Sequence, residues 1–388
     1  MTLRRPPFLL FALLGLIAAV VPPASGTLQP PGNPGSAFGQ LARDADQART
    51  AGRLDEAAGL YRRALALKPG WAEGLWALGT MAYEGDRWAE CRDSFQRLAV
   101  ARPKMAAAWA LRGLCEFQLG GFTSARAHLE KGLSLGMAPM EELSRVALYH
   151  QALLRVRDGQ FDLAIAPLST ILQFQPASPE LGLACGLVLL RRPLLPAAVP
   201  PADLALVQQA GDAYCAHLAR HPEQAVPRFD ALIRTHPRER YLHYGRGLAL
   251  AQQGSVDALA EFQGEVELFP DDVLARVELG FGLLARGRDA EAVAPAEDAV
   301  RLAPGLFTTH LVLGRALAGT GQLARGIREL ETAAALQPEI PEIQLALARA
   351  YAQAGRKPEA DRANAVFQSL EKARRGSAEG TASAPKAP

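Results

Sequence analysis

The chain has 388 residues, 49% hydrophobic but only 6% aromatic, with 42 basic and 40 acidic side chains and a formal net charge of +2. That length suits two or three ordinary domains or one long solenoid, with ample apolar material for a core. The near balance of charge argues against a nucleic-acid-binding stripe, and the lack of sustained alternation between apolar and polar residues argues against a sheet.

Residues 1–26 read as an export signal: Arg4 and Arg5 give the positive start, Phe8 to Val21 the apolar run, and Ala24, Ser25 and Gly26 small residues for cleavage before Thr27. The run is shorter than the ~20 residues that span a membrane, and no cysteine follows it to carry a lipid anchor. The expected location is exported, periplasmic or extracellular; the alternative is a membrane anchor formed by an uncleaved N-terminal segment. Residues 27–37, rich in Pro, Gly and Ser, read as a linker.

From residue 38 onward, apolar residues recur at helical spacing and are punctuated at regular intervals. A first hairpin over about 38–71 carries Gly52, Tyr61, Ala64 and Pro69, and its polar first helix suits a terminal cap. A second (Leu78, Gly79, Trp88, Phe95, Pro103) and a third (Trp109, Gly113, Gly120, Phe122, Leu129) follow, Met137 standing where a proline would close the third. A fourth ends at Pro176 and carries Pro167 inside its second helix, where a kink is expected. These four form a first sub-array, 38–176.

Residues 177–205 break the register. Leu181 to Arg191 suits a helix, but the prolines at 193, 196, 200 and 201 predict an irregular connector after it. A second sub-array, 206–372, opens with a degenerate fifth hairpin over about 206–237, in which Arg220 and His221 replace the turn glycine. The sixth hairpin has Tyr241, Gly247, Gly254, Phe262 and Pro270. The period is clearest in the seventh and eighth, where Gly280 recurs as Gly314, Gly287 as Gly321, Ala299 as Ala333 and Pro304 as Pro338, each 34 residues on. Within that copy one helix is predicted from about Leu274 to Arg286, ended by Gly287, and a second is marked by Ala292, Ala296 and Ala299. The ninth hairpin ends in polar residues at 372, and 373–388, rich in Ala, Ser, Gly and Pro, reads as a disordered tail.

These residues resemble the tetratricopeptide repeat, a helix–turn–helix unit of 34 residues. The resemblance implies an all-α fold: a right-handed superhelical solenoid of about nine hairpins. It also implies that the first helix of each hairpin lines a concave groove, through its second, fifth, ninth, twelfth and thirteenth positions. Counted here, those positions hold Trp76, Tyr83, Phe117, Tyr149 and Val156, then Tyr214, Tyr241, Tyr244, Phe281 and Leu284. Two readings of the rings remain open, as filling between helices or as a groove for a protein or peptide segment. On the second, replacing Tyr83, Phe117 and Tyr149 by Ala weakens capture and leaves helicity intact. A groove of rings also suits an envelope glycan or small ligand, which is the alternative function. The family's carboxylate clamp of Lys, Asn and Arg is missing from the corresponding positions.

No cofactor, metal or catalytic centre is expected. The glycines are helix punctuation rather than a phosphate-binding loop. Cys215, His217 and His221 have metal-like spacing but no evident fourth ligand. Cys91 and Cys115 are the first candidate pair for a disulfide and Cys185 and Cys215 the second, with buried free thiols as the default. The polar ends favour a monomer over end-to-end association. The leading reading is a non-catalytic, exported protein-binding scaffold that serves cell-envelope assembly or secretion.

Overall fold

The structure, a computed structural model, describes residues 36–137 and 142–382, with side chains described as far as 375. The expected export signal, most of the linker and the end of the expected tail lie outside the described residues. Among those residues the chain is entirely helical, with nineteen α-helices, one short 3₁₀ turn and no strand: an α solenoid. It divides into two compact units, the first ending at His221 and the second beginning at Pro222.

The first unit opens with α1 (Ala37–Thr50), capped by Ser36, whose Oγ accepts from the amide of Gly39 at 3.0 Å. Then come α2 (Leu54–Leu67), α3 (Ala72–Glu84), α4 (Trp88–Ala101), α5 (Ala106–Gln118), α6 (Phe122–Ser134), α7 (Glu142–Arg157) and α8 (Phe161–Phe174). Each helix packs on the next, and α5 also touches α7, so hairpins stack with their first helices adjacent. Small residues make the close fit possible: Ala42, Ala45 and Ala48 of α1 and Ala57 and Ala64 of α2 are buried around Tyr61. A lone hairpin would leave this alanine-lined surface wet, and stacking removes it from water. Pro167 is buried inside α8, which continues to Phe174 past it.

The connector is more ordered than its prolines suggest. Helix α9 (Pro179–Leu189) begins at Ser178, which caps it by accepting from the amide of Leu181 at 3.3 Å. A 3₁₀ turn over Pro196–Ala198 follows, then α10 (Leu204–Leu218). Helices α9 and α10 pack closely on each other, α9 reaching α7 and α10 reaching α8. The expected fifth hairpin, 206–237, is therefore corrected: its first helix pairs backwards with α9, and its second belongs to the other unit. The cause is a glycine contact. A Cβ on Gly211 would stand 1.7 Å from the carbonyl oxygen of Gly182, and one on Gly186 1.9 Å from that of Val207. Only bare backbone lets the two helices approach so closely.

The second unit contains α11 (Pro222–Thr235), α12 (Leu242–Gln252), α13 (Ala258–Leu268), α14 (Val273–Leu284), α15 (Asp289–Leu302), α16 (Phe307–Gly319), α17 (Leu323–Leu336), α18 (Pro341–Gln353) and α19 (Lys357–Ala382). Here the 34-residue period is plain. The turns after α14 and α16 pass through Gly287 and Gly321 at φ of +69° and +81°, the left-handed region that favours glycine. First helices stack in series, α12 on α14, α14 on α16 and α16 on α18. Helix α19 runs to Ala382, so residues 373–382 are helical rather than the disordered tail expected of them.

Candidate concave binding surface

The first unit decides between the two readings of its rings. Trp76 and Tyr83 on α3, Phe117 on α5, Tyr149 on α7 and Tyr214 on α10 keep only 4–7% of their surface exposed. Trp76 stands edge-on to Phe95 with centroids 5.7 Å apart, and Tyr83 edge-on to Trp88 at 5.4 Å. Phe117 meets Phe122 at 5.5 Å and His150 at 4.7 Å, while Tyr149 meets the same imidazole at 5.5 Å. Tyr214 stacks on His217 at 5.6 Å. Val156 is fully buried as well. These rings fill the seams between stacked helices and form no open groove, which corrects the expectation for all five. Burial also lifts the phenols of Tyr149 and Tyr214 well above the usual tyrosine range, and it holds His150 down at about 4 although its Nδ1 meets the carbonyl of Val146.

In the second unit Tyr241, Tyr244 and Phe281 are half-buried. The two tyrosines belong to a structural knot around Glu265, a fully buried carboxylate on α13. Its Oε1 accepts from the amide of Tyr241 at 2.5 Å and its Oε2 from that of Tyr244 at 3.2 Å, closing the start of α12, where Tyr241 is left-handed at φ 71°. Arg240 covers the ring of Tyr241 at 5.3 Å. Beside this knot Glu261 accepts from His243 at 2.8 Å and pairs with Arg246.

Phe281 leads to a surface that is open. A depression of about 260 Å³ lies along the first helices α14, α16 and α18. Leu284, Leu311, Ala318, Leu345 and Ala346 give it apolar walls, and Asp289, Arg315, Glu342, Arg349 and Gln353 polar ones. Nearly all of these stand at positions the repeat geometry assigns to the concave face. Beside Tyr149 in the first unit, by contrast, the space is only about 10 Å³. Arg315 and Arg349 are both exposed, and the Arg315 guanidinium lies 5.8 Å from the centroid of Phe281. Although Arg315 as a residue is exposed, crowding in the depression desolvates its guanidinium in part, which lowers its pKa. The like charge of Arg349 lowers it further, and Asp289 opposes both. Among the described residues, neither arginine has a carboxylate within ion-pair distance. The sequence reading passed over this pair. The signal was present: Phe281, Arg315 and Arg349 follow one another at 34 residues, each just after the small residue at 280, 314 or 348.

A larger cleft of about 470 Å³ lies among α13, α14 and α15. Its charges already satisfy one another, Arg276 with Asp298 at 3.2 Å and with the carbonyl of Pro270 at 2.6 Å, and Arg288 with Glu291 at 2.6 Å. Among the described residues no three His, Cys, Asp or Glu groups converge as metal ligands, and no helix is long and apolar enough to cross a membrane. Cys215 does not turn to His217 and His221 as a ligand set; it is buried in hydrogen-bond contact with Cys185, whose thiol burial pushes up. That second cysteine pair is unbonded, whereas Cys91 of α4 and Cys115 of α5 are joined as a disulfide with Cα atoms 6.0 Å apart.

No curated protein matches the chain. Solved structures do, 248 chains of them. Among these, MamA 41-end from Desulfovibrio magneticus RS-1 is 23% identical, with a TM-score of 0.39 over 42% of this chain and 94% of that one. MamA MSR-1 is 20% identical, with a TM-score of 0.38 over 44% and 99%, and MamA AMB-1 is 22% identical, with 0.37 over 43% and 99%. The tetratricopeptide repeat model matches residues 43–103, 77–138, 219–258 and 311–378, more than half of the chain. Such repeats support a protein-interaction scaffold in general terms. With stacked helical hairpins, a 34-residue period and this match together, the chain belongs to the tetratricopeptide repeat family.

Proposed function

We propose that the chain is an exported, non-catalytic scaffold that captures a segment of a partner protein on the concave face of the last three repeats of its second unit. The observation that carries this is the open depression along α14, α16 and α18, with apolar walls and exposed arginines at groove positions. Apolar walls give a bound segment area to bury, and a few polar groups fix its direction. The aromatic positions of the first unit play no part in capture, since their rings are buried. The glycan reading rested on a groove of rings in both units; Tyr241, Tyr244 and Phe281 stay half-buried, but the apolar and charged walls of the depression favour a peptide. Export is supported by the charged start and apolar run of residues 1–26 and by the Cys91–Cys115 bond, of a kind that persists in oxidising compartments. Cell-envelope assembly or secretion is the setting we infer.

The test places a photo-crosslinking residue at Leu345 and, as a control, at exposed Val100, in the chain expressed in its native host. A defined protein adduct from position 345 but not from 100, on a form that begins near Thr27 and lies outside the cytoplasm, is the expected result. Adducts from 100 alone, or an uncleaved chain confined to the cytoplasm, would contradict the reading.

A further inference from the structure

Most arginines of the second unit are spoken for. Arg288 pairs with Glu291, Arg325 with Glu297 at 2.8 Å and Arg356 with Glu359 at 3.0 Å, all at the turns or on second helices. Arg315 and Arg349 differ. They occupy the same concave position of consecutive repeats, so stacking α16 on α18 brings two like charges onto one face. Among the described residues the acids that line the same depression make no ion pair with them. Glu342 is turned to Arg374 at 3.4 Å. Asp289 lies against Gly319, where an added Cβ would meet its carboxyl at 2.4 Å, and stays beyond ion-pair distance of both arginines. Two guanidiniums without an ion-pair partner beside apolar walls leave donors that a bound carboxylate would engage.

Resting on the capture reading above, we infer that the captured segment is acidic: an Asp- or Glu-bearing stretch of a partner protein, its carboxylates held by Arg315 and Arg349 and its apolar side chains set on Leu284 and Leu345. A guanidinium offers a planar fork of donors that matches a carboxylate. The ring of Phe281 beneath Arg315 holds that fork from behind. The apolar walls favour a peptide, which has apolar side chains to bury there, over a bare anion. The depression also lies in a region where consecutive repeats are in strict register, so Arg315 and Arg349 recur one helix pair apart.

The test is a selection of displayed random short peptides on the purified full chain, followed by titration of a labelled winner. Winners enriched in Asp and Glu are expected. Affinity should fall about tenfold or more in Arg315→Ala/Arg349→Ala, since each exposed or half-exposed charge pair contributes up to roughly fivefold. It should fall comparably when the acids of the peptide become their amides, recover in part in Arg315→Lys/Arg349→Lys, and weaken as salt rises. Unchanged circular dichroism and melting of each variant exclude a folding effect. Acidic winners that bind the Ala variant as tightly as the native chain would overturn the inference. Neutral winners whose binding is abolished by Leu345→Arg would overturn it too, while leaving capture on this face intact. The absence of any winner would overturn both.

Discussion

The two units put the groove positions of their repeats to opposite uses. In the first, the inner positions carry large rings, and the seams between stacked helices swallow them: Phe117 sits against His150 of the next hairpin, and Trp76 against Phe95. In the second, the ninth position runs Phe281, Arg315, Arg349, and the last two cannot be buried without losing hydration of a charge. They stay at the surface, and the wall between them stays open. Register decides which way a side chain points, and its chemistry decides whether the seam closes over it. An aromatic stripe on the inner face is thus a mark of closure, and charged residues at the same positions mark the part left free for a partner.

This contrast predicts its own largest effects. Truncating a buried ring of the first unit leaves a cavity, so Phe117→Ala or Tyr83→Ala should each cost about 3–5 kcal/mol, measured by denaturant unfolding. All four tryptophans, Trp71, Trp76, Trp88 and Trp109, lie in the first unit, so their fluorescence follows that unit alone. The triple replacement of Tyr83, Phe117 and Tyr149, expected from the sequence to leave helicity intact, should instead unfold much of the first unit. Retained helicity would return these rings to the groove.

The next effect, in pH, should be one-sided in the first unit and mixed in the second. In the first, His150 is buried neutral with its pKa held at about 4, chiefly by burial, against an ordinary 6.5. Below about pH 6.5 the unfolded chain gains a proton that the folded chain refuses. The first unit should therefore lose up to roughly 3 kcal/mol as pH falls toward 4. In the second, burial raises the carboxyls of Glu265 and Glu278, and the hydrogen bond to Glu261 raises His243. At these three groups the folded state holds protons more tightly than the unfolded one, whereas Glu261, Asp271, Glu291, Asp298 and Glu359 of the same unit are held below the usual carboxylate range by their Arg or His partners and act the other way. The contribution of His243 is complete below 6.5 and lost as pH rises through its folded value, and the two carboxyls weaken folding as pH climbs above 4.5. Tryptophan fluorescence should thus show the first unit's transition weakening on acidification. A tryptophan-detected midpoint unchanged between about pH 7 and 4.5 would contradict a buried neutral imidazole at His150.

The smallest effect sharpens the contrast from the other side. Arg315→Ala/Arg349→Ala removes two exposed groups that make no ion pair among the described residues and should move the unfolding midpoint hardly at all, within about 0.5 kcal/mol. A loss as large as that of Phe117→Ala would make the arginines structural.

Much of the fold was legible because it repeats. Glycines and prolines at 34-residue steps fix helix ends locally, and the left-handed turns at Gly287 and Gly321 stand where the period places them. The pairing of α9 with α10 was not legible in this way. It depends on Gly182 and Gly186 of one helix meeting Gly211 and Val207 of the next backbone to backbone, at a spacing unrelated to the 34-residue period. The helix through 373–382 was missed because its Ala, Ser and Gly composition reads as tail. At the candidate site, counting positions singled out Phe281 and Leu284, of which Leu284 lines the depression. It also sent a search for rings to the closed unit, because ring size and groove position together do not reveal whether a neighbouring hairpin covers the ring. Arg315 and Arg349 stood at the right positions and were overlooked for not being aromatic.

The most direct measurement is amide hydrogen exchange of the full chain with and without a peptide selected for binding to it. Slower exchange over 307–319 and 341–353, with Trp76 to Tyr83 and Trp109 to Phe117 unaffected, is the result the concave surface of the second unit requires. Protection confined to those first-unit helices, or to neither unit, would contradict it.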